Sequence, residues 1–221
     1  MTSSCCNALV DDAEFERLYG PWDPFDPTGA QAFLADFPGP WWVVGGWAVE
    51  AFSGVHREHH DVDVAIFKYD LPALLDLVGD RYDVWSVSNG SLRPINETWP
   101  EPPPDAGQVW LREHAQAPWV IDVLINEDRD GQWVSRREEW SAPLDEVTWV
   151  ADDGIRYQNP EVVLHHKARG NEERDRADRD TAWPLMDGAP RAWLREAVVR
   201  VYGADHPWLT WMDGLPSATS R

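Results

Sequence analysis

Asp61 and Asp63 stand two residues apart in the segment DVDVAIF, residues 61–67. Polar and apolar residues alternate at its start, which predicts a strand. Side chains at i and i+2 of a strand share a face, with stems about 6.6 Å apart at a rise of roughly 3.3 Å per residue. Two carboxylates so placed repel each other unless a hard cation lies between them, and Mg²⁺ takes oxygen ligands at about 2.0–2.1 Å. Asp122 is the single carboxylate inside the apolar, β-branched run WVIDVLI, residues 119–125. A charge there is costly unless paired or metal-bound. If the two strands are neighbours, a spacing of about 4.8 Å joins all three acids in one cluster. Such a cluster can hold two divalent ions that clamp the attacking and leaving oxygens of a phosphoryl or nucleotidyl transfer. Gly45-Gly46 follows the apolar segment Trp41–Val44 and precedes the helical pattern of residues 47–52. Glycines between a strand and a helix let backbone amides approach an anion closely at a helix N-terminus.

These residues need a scaffold, and the rest of the chain outlines one. Short helices are expected over residues 11–19 and 29–37, with turn chemistry at Gly20–Pro24 and Pro38–Pro40. After the strand at 61–67, residues 71–78 return to helical spacing, and 84–87 and 109–113 read as strands. The proline-rich stretch 94–104 reads as a loop, because proline does not fit a strand interior. Residues 131–158 read as short strands or hairpins, and 160–169, 172–187 and 190–202 as three helices, the first with Pro160 in its opening turn. The fold class expected is α+β: a mixed β-sheet flanked by helices and followed by a C-terminal helical region. The division expected is a helical lead-in over 1–37, an α/β core over 38–158 and a helical region over 159–221. Residues 1–10 read as a frayed start.

Composition narrows the partners. The chain has 221 residues, 43% of them hydrophobic, enough for a sizeable core. Its 19 Lys and Arg against 39 Asp and Glu leave a net charge of −20. Affinity for nucleic acid rests on basic groups that release counterions, so such a surface argues against DNA or RNA. An acidic cleft favours cationic small molecules, although an acidic surface also simply aids solubility. The two cysteines, Cys5 and Cys6, cannot form a disulfide framework. No apolar run approaches the roughly 20 residues that span a bilayer, and no signal-peptide pattern opens the chain. A cytoplasmic location without membrane attachment is expected. The 15 tryptophans read mainly as packing at the core and its rim.

The ordered set is more specific than its parts. The segment WWVVGGWAVEAFSGVHREHHDVDVAIF resembles the core of the DNA-polymerase-beta-like nucleotidyltransferases, and within them the aminoglycoside 2''-adenylyltransferase and lincosamide nucleotidyltransferase group. Gly45, Gly46, Trp47, Ala48, Arg57, His59, Asp61 and Asp63 match the motif of that group, and Asp122 stands where its third carboxylate falls. Pro160, Glu161, Lys167, Arg174, Asp175 and Asp178 match the looser helical tail of bacterial relatives. Glu50 stands where the group commonly has Asp, and His56 where it has Thr; neither change removes a metal ligand.

The resemblance implies a Mg²⁺-dependent nucleotidyltransferase with a nucleotidyltransferase-type fold. It would move a nucleoside monophosphate from a nucleoside triphosphate, ATP by expectation, to a hydroxyl of a small acceptor resembling an aminoglycoside or lincosamide. Asp61, Asp63 and Asp122 would hold two metal ions, and Asp122 would also act as general base. Gly45 and Gly46 would cradle the triphosphate, with Arg57 and Lys167 neutralising its charge. Arg57 has an alternative in pairing with Glu50 or Glu58, and Lys167 in lying along apolar neighbours with its ammonium in water. His56, His59 and His60 lack the partners of a zinc site, and His59 reads as ordering the loop or the carboxylates. His165 and His166 read as helix surface, and Arg136 and Arg137 as surface. Arg174, Asp175 and Asp178 read as an ion-pair group that ties the helices to the sheet. Two other functions keep the fold: a nucleotidyltransferase toxin acting on protein or tRNA, and a catalytically silent nucleotide-binding module. The net charge of −20 argues against tRNA.

Overall fold

The computed structural model describes residues 12–214. The expectations for residues 1–10, Cys5 and Cys6 included, lie outside them. The chain opens with helix α1 (Asp12–Tyr19) and helix α2 (Pro27–Phe33). Asp26 caps α2 by accepting from Gly29 N, and Pro27 takes the first helical position, where no amide donor is needed. Strand β1 (Trp41–Val43) leads directly into helix α3 (Gly45–Ser53). The two glycines therefore form the first turn of that helix rather than preceding it. Gly54 ends it in the left-handed conformation, its amide donating to Glu50 O. Strand β2 (Asp63–Phe67) and helix α4 (Leu71–Val78) follow. Asp61 thus lies just before the strand and not within it, as the alternation had suggested. Helix α4 falls on the expected residues, closed by Gly79.

Strands β3 (Asp83–Ser88) and β4 (Ser91–Ile95) form a hairpin, followed by β5 (Gln108–Arg112) and β6 (Ile121–Asn126). Pro94 and Ile95 belong to β4, which corrects the reading of residues 94–104 as loop throughout. Strand β4 is the outer strand of the sheet, where a proline sacrifices no ladder bond. Three short strands, β7 (Asp128–Arg129), β8 (Gln132–Val134) and β9 (Ser141–Ala142), make a small separate sheet. Helix α5 (Leu144–Val147) precedes β10 (Thr148–Val150) and β11 (Arg156–Gln158). The chain then turns helical: α6 (Pro160–Ala168), α7 (Glu173–Ala182), α8 (Gly188–Tyr202) and α9 (Pro207–Asp213). The helix expected over 172–187 stops at Ala182 and tightens into a 3₁₀ turn, Trp183–Leu185, at Pro184. Helix α9 had no counterpart in the sequence reading.

The main sheet has the order β10-β11-β1-β2-β6-β5-β3-β4. It is mixed: β2 runs parallel to β6 and antiparallel to β1, while β5 is antiparallel to β6 and β3. This is the α+β mixed sheet with C-terminal helices that the sequence suggests. Val64 and Ile66 of β2, with Val123 and Ile125 of β6, enter the larger core with Leu34, Leu71 and Leu74. The opposite face of β2 carries Asp63, Ala65 and Phe67; Ala65 and Phe67 pack with Trp42, Trp133 and Val162 in a second core. Successive residues point to opposite faces, so one strand serves both layers. No helix is long and apolar enough to cross a membrane among the described residues.

Candidate active site

Asp63, the first residue of β2, is in register with Asp122 of β6. Val62 O accepts from Asp122 N at 3.1 Å, so the ladder continues past the strand end and fixes the pairing. In-register residues of neighbouring strands share a face, which sets the two carboxylates side by side. Asp122 is 5% exposed. Its Oδ2 accepts from Trp110 Nε1 and from Gln108 Nε2, both at 2.9 Å. Its Oδ1 is buried and has no hydrogen-bond partner. Burial, with the charge of Asp61 beside it, pushes the Asp63 carboxyl up to about 7. Burial and the charge of Asp63 hold Asp122 well above the usual carboxylate range.

The glycines fit around these acids. Gly45 has φ +63°, and a Cβ there would lie 2.4 Å from Asp63 Oδ2. The Asp63 carboxylate therefore rests against the first turn of α3. A Cβ on Gly46 would lie 1.6 Å from Arg57 Nη2 and 3.2 Å from His59 Cε1. Gly45 leaves room for the first side chain of β2 and Gly46 for two side chains of the loop before it, a use of Gly-Gly that the sequence reading did not contain.

That loop, residues 54–62, is pinned by Glu50. His56 Nδ1 and His59 Nε2 donate to its carboxylate at 3.0 and 2.9 Å, and Arg57 N donates at 3.0 Å. Burial alone would raise Glu50, yet the bonds from the two histidines hold it below its ordinary value. Trp47 stacks on His59, with centroids 3.8 Å apart, and its Nε1 donates to Asp61 O. His59 thus orders the loop that carries Asp61.

The Arg57 guanidinium does not pair with Glu50 or Glu58 carboxylates. Its Nε and Nη2 donate to Asp178 at 3.0 and 3.3 Å, and its Nη1 donates to Glu58 O. Lys167 of α6 meets the same Asp178 at 2.9 Å and Asp175 at 3.2 Å. Asp175 also caps α7 by accepting from Glu172 N. The ion-pair group that ties the helices to the loop is therefore Arg57, Lys167, Asp175 and Asp178. Arg174 is not part of it: it pairs with the partly exposed Glu172 and faces the Asp61 side.

Two clefts flank the acids. One, of about 620 Å³, runs past Gly45 and Asp63 to Lys167, Arg169, Arg136 and Arg137. Both arginines of the 136–137 pair, read from the sequence as surface, line it. The small β7–β8–β9 sheet folds back beside α6 and carries them there. Arg136 donates to Gly107 O at 2.6 Å and to Ile125 O. The expectation of helix surface for His165 and His166 also fails. His165 is 1% exposed, and burial with neighbouring arginines drives His166 down to about 3. The signal available in the sequence was the adjacency of two arginines in a chain so poor in cations. The other cleft, of about 630 Å³, holds Asp61 and Asp122 with Glu16, Phe15, Trp22 and Trp110. It is acidic and aromatic where the first is basic.

A divalent cation fits this arrangement on one observation above all: two adjacent carboxylates with raised proton affinity, one of them with an unpartnered buried oxygen. Among the described residues, no three His, Cys, Asp or Glu side chains form a closed ligand group, zinc-type groups included. Mg²⁺ characteristically binds through one or two carboxylates and takes its remaining oxygens from phosphates and water.

Comparison with known proteins bears on the fold. Residues 30–87 match the family model of aminoglycoside-2''-adenylyltransferase, a stretch that contains Gly45, Gly46, Asp61 and Asp63 and ends before Asp122. The solution structure of the antibiotic-resistance factor ANT(2'')-Ia superposes with a TM-score of 0.52 at 17% identity, over 78% of this chain and 89% of that one. The chain shares that fold. The resemblance seen in the motif is thereby borne out for the architecture. The lincomycin-bound lincosamide antibiotic adenylyltransferase LnuA is similar at a TM-score of 0.49 and 17% identity, over 71% of this chain and 94% of that one. The complex of ANT(2'')-Ia with adenylyl-2''-tobramycin is similar at 0.41 and 14%, over 79% and 86%. No curated protein sequence matches the chain.

Proposed function

We propose that this chain is a nucleotidyltransferase that moves a nucleoside monophosphate from a nucleoside triphosphate to a hydroxyl of a small acceptor. The observation that carries the reading is the in-register Asp63–Asp122 pair, set where a basic cleft meets an acidic, aromatic one. The basic cleft suits the triphosphate. Asp63 and Asp122 would hold a divalent cation, Mg²⁺ by preference, which supplies charge neutralisation at the phosphoryl oxygens. Asp61, fixed at the loop end through Trp47, adds negative charge at the same place.

Asp122 takes the proton. Its Oδ2 is held by Trp110 and Gln108, which orient the carboxylate and leave Oδ1 free to accept from an acceptor hydroxyl. A carboxylate whose proton affinity is raised by burial is a better base near neutral pH than one in water. As the acceptor oxygen bonds to the α-phosphorus, the bond from that phosphorus to the bridging oxygen breaks, and pyrophosphate leaves with the electron pair. The acidic, aromatic cleft supports a hydroxylated amine as acceptor, in keeping with the antibiotic-modifying proteins that share the fold, and ATP is the donor to test first. In this reading, residues 38–158 carry the chemistry and the helices from 159 onward close the nucleotide side.

The test is pyrophosphate release, with mass spectrometry of the product, over a panel of four nucleoside triphosphates and hydroxylated amines with Mg²⁺. Wild type is expected to adenylylate at least one acceptor. Asp63→Asn and Asp122→Asn are each expected to lower the rate about 10²-fold or more with the fold intact. Retention of the rate by Asp63→Asn would overturn the assignment.

A further inference from the structure

Phe15 and Tyr19 stand four residues apart on α1, so they share one face of the helix, with ring centroids 4.9 Å apart. Both rings meet Trp110 of β5, at 6.1 and 6.0 Å. The Tyr19 hydroxyl donates to Gly90 O at 2.9 Å. Beyond the helix the chain runs alongside residues 119 and 120: Trp119 N donates to Pro21 O, Asp23 N to Trp119 O and Phe25 N to Val120 O. That run sets Trp22 against Trp110, with centroids 5.2 Å apart. Residues 15–24 are thus fastened to the sheet and folded around one indole, the indole whose Nε1 holds Asp122.

The same segment forms a wall of the acidic cleft, which Phe15, Glu16, Trp22 and Pro24 line together with Trp110 and Asp122. Phe15 and Trp22 are only half-buried, so apolar ring surface remains at the cleft. Glu16 follows Phe15 around the helix, one step off the face that packs on Trp110, and is exposed. Among the described residues its carboxylate has no ion-pair partner. Arg174, the one arginine or lysine among the described residues that line this cleft, is paired with Glu172. Asp122 is 5% exposed, and its unpartnered Oδ1 marks where a ligand's donor is received. None of residues 15–24 falls in the stretch that matches the family model, which begins at residue 30.

We propose that residues 15–24 are the acceptor-selecting element of this chain and that Glu16 is a specificity-determining residue: it pairs with an ammonium group of the acceptor and selects a free amine over its acylated form. The inference rests on the nucleotidyl-transfer reading and deepens it, because it places selection in a segment outside the motif that carries the chemistry. Asp122 Oδ1 receives the reacting hydroxyl, Phe15 and Trp22 take the apolar face of the acceptor's ring, and Glu16 takes an amine elsewhere on the molecule. The cleft of about 630 Å³ lies within the range of about 300–1,000 Å³ usual for small-molecule sites and suits an acceptor of two or three linked rings. N-acylation keeps every hydroxyl, removes the charge and adds bulk. Replacing Glu16 by Gln removes the charge from the protein side and leaves the space unchanged, so the two effects separate.

The experiment is calorimetric titration of the full chain, without nucleotide or divalent ion, with the β-1,4-linked disaccharide and trisaccharide of glucosamine, each beside its fully N-acetylated form. Wild type is expected to bind at least one free amine more tightly than its acetylated form. Glu16→Gln is expected to lower that ratio about threefold or more, the scale of an ion pair at an exposed site. Glu146→Gln, which removes an exposed carboxylate on α5 outside this cleft, is expected to leave the ratio unchanged and so separates a local contact from net charge. Trp22→Leu is expected to weaken both forms alike. No preference for either free amine in wild type, or an unchanged ratio in Glu16→Gln, overturns the assignment. A ratio that falls in Glu16→Gln alone upholds the amine subsite even if neither sugar is nucleotidylated with any triphosphate, in which case only the transfer reading falls. Turnover of an acceptor amine with the same KM in wild type and Glu16→Gln leaves the transfer reading standing and overturns the role of Glu16.

Discussion

Asp63 and Asp122 repel each other across one strand pair, and the repulsion has a pH signature. Burial raises the folded-state carboxyl of Asp63 from about 4 to about 7, so the folded protein holds its proton more tightly than the unfolded chain does. The associated stability is complete below the unfolded value and is lost as pH rises toward 7. Replacing Asp63 by Asn removes this loss. The melting temperature of Asp63→Asn minus that of wild type, without divalent ions, is therefore expected to be larger at pH 8 than at pH 5. Mg²⁺ is expected to raise the wild-type melting temperature more at pH 8 than at pH 5, because only the ionised pair binds a cation well. The glycine beside Asp63 gives a second prediction. Gly45→Ala adds a Cβ 2.4 Å from Asp63 Oδ2 at a backbone φ of +63°. Backbone strain of this kind costs about 1–3 kcal/mol, to be read from urea denaturation.

At the scale of elements, the site is a loop and two helices held to a strand end. Residues 54–62 have no regular structure, and Glu50 replaces it with three hydrogen bonds from that one segment. Asp178 then locks the same loop to α6 and α7 through Arg57 and Lys167. Asp178 is 3% exposed, so removing it leaves two cations without their shared partner. Breaking a buried pair costs about 3–5 kcal/mol. The Arg57 side chain remains 32% exposed, and water lowers the cost, so Asp178→Ala is expected to destabilise by about 2 kcal/mol. Lys68→Ala breaks a pair whose two side chains are 49% and 64% exposed, and is expected to cost less than about 1 kcal/mol. Chemical denaturation of both variants distinguishes a lock from a surface pair.

Across the whole molecule, charge is segregated rather than merely negative. A net −20 repels phosphates at long range, while Arg136, Arg137, Lys167 and Arg169 collect on one side of the acid pair. Glu16, Asp61 and Asp122 collect on the other, among aromatic rings. The two clefts thus have opposite signs and meet at the carboxylates. Binding at the basic cleft rests on exposed and partly exposed cations, so salt screens it. Triphosphate affinity is expected to fall several-fold as ionic strength rises from about 0.05 to about 0.5 M; calorimetry at both salt levels reads it directly. Of the fully buried indoles, Trp208 lies in the larger core, Trp42 and Trp133 in the second, and Trp119 among the rings of Trp22, Trp85 and Trp110, so the aromatic content is spread rather than gathered at one site.

The sequence by itself determined the local features whose cause is local. A lone carboxylate in an apolar strand is anomalous wherever the strand goes, so Asp122 stood out. Periodicity placed α4 on its residues, and proline at Pro160 marked the start of α6. The ordered motif from Gly45 to Asp63 carried the fold. Tertiary structure decided everything that depends on which elements become neighbours. Pro94 is tolerated in a strand because β4 lies at the sheet edge, and edge position is a property of strand order. Asp63 faces Asp122 because β2 and β6 pair in one parallel register, which no spacing along the chain encodes. Arg57 meets Asp178 across 121 residues. Arg137 and His166 are polar residues on a turn and a helix, and each sequence neighbourhood reads as surface. They became the wall of a cleft only when the β7–β8–β9 sheet folded back beside α6. Burial without a partner is a relation between distant segments, and it exists only after the chain has closed on itself.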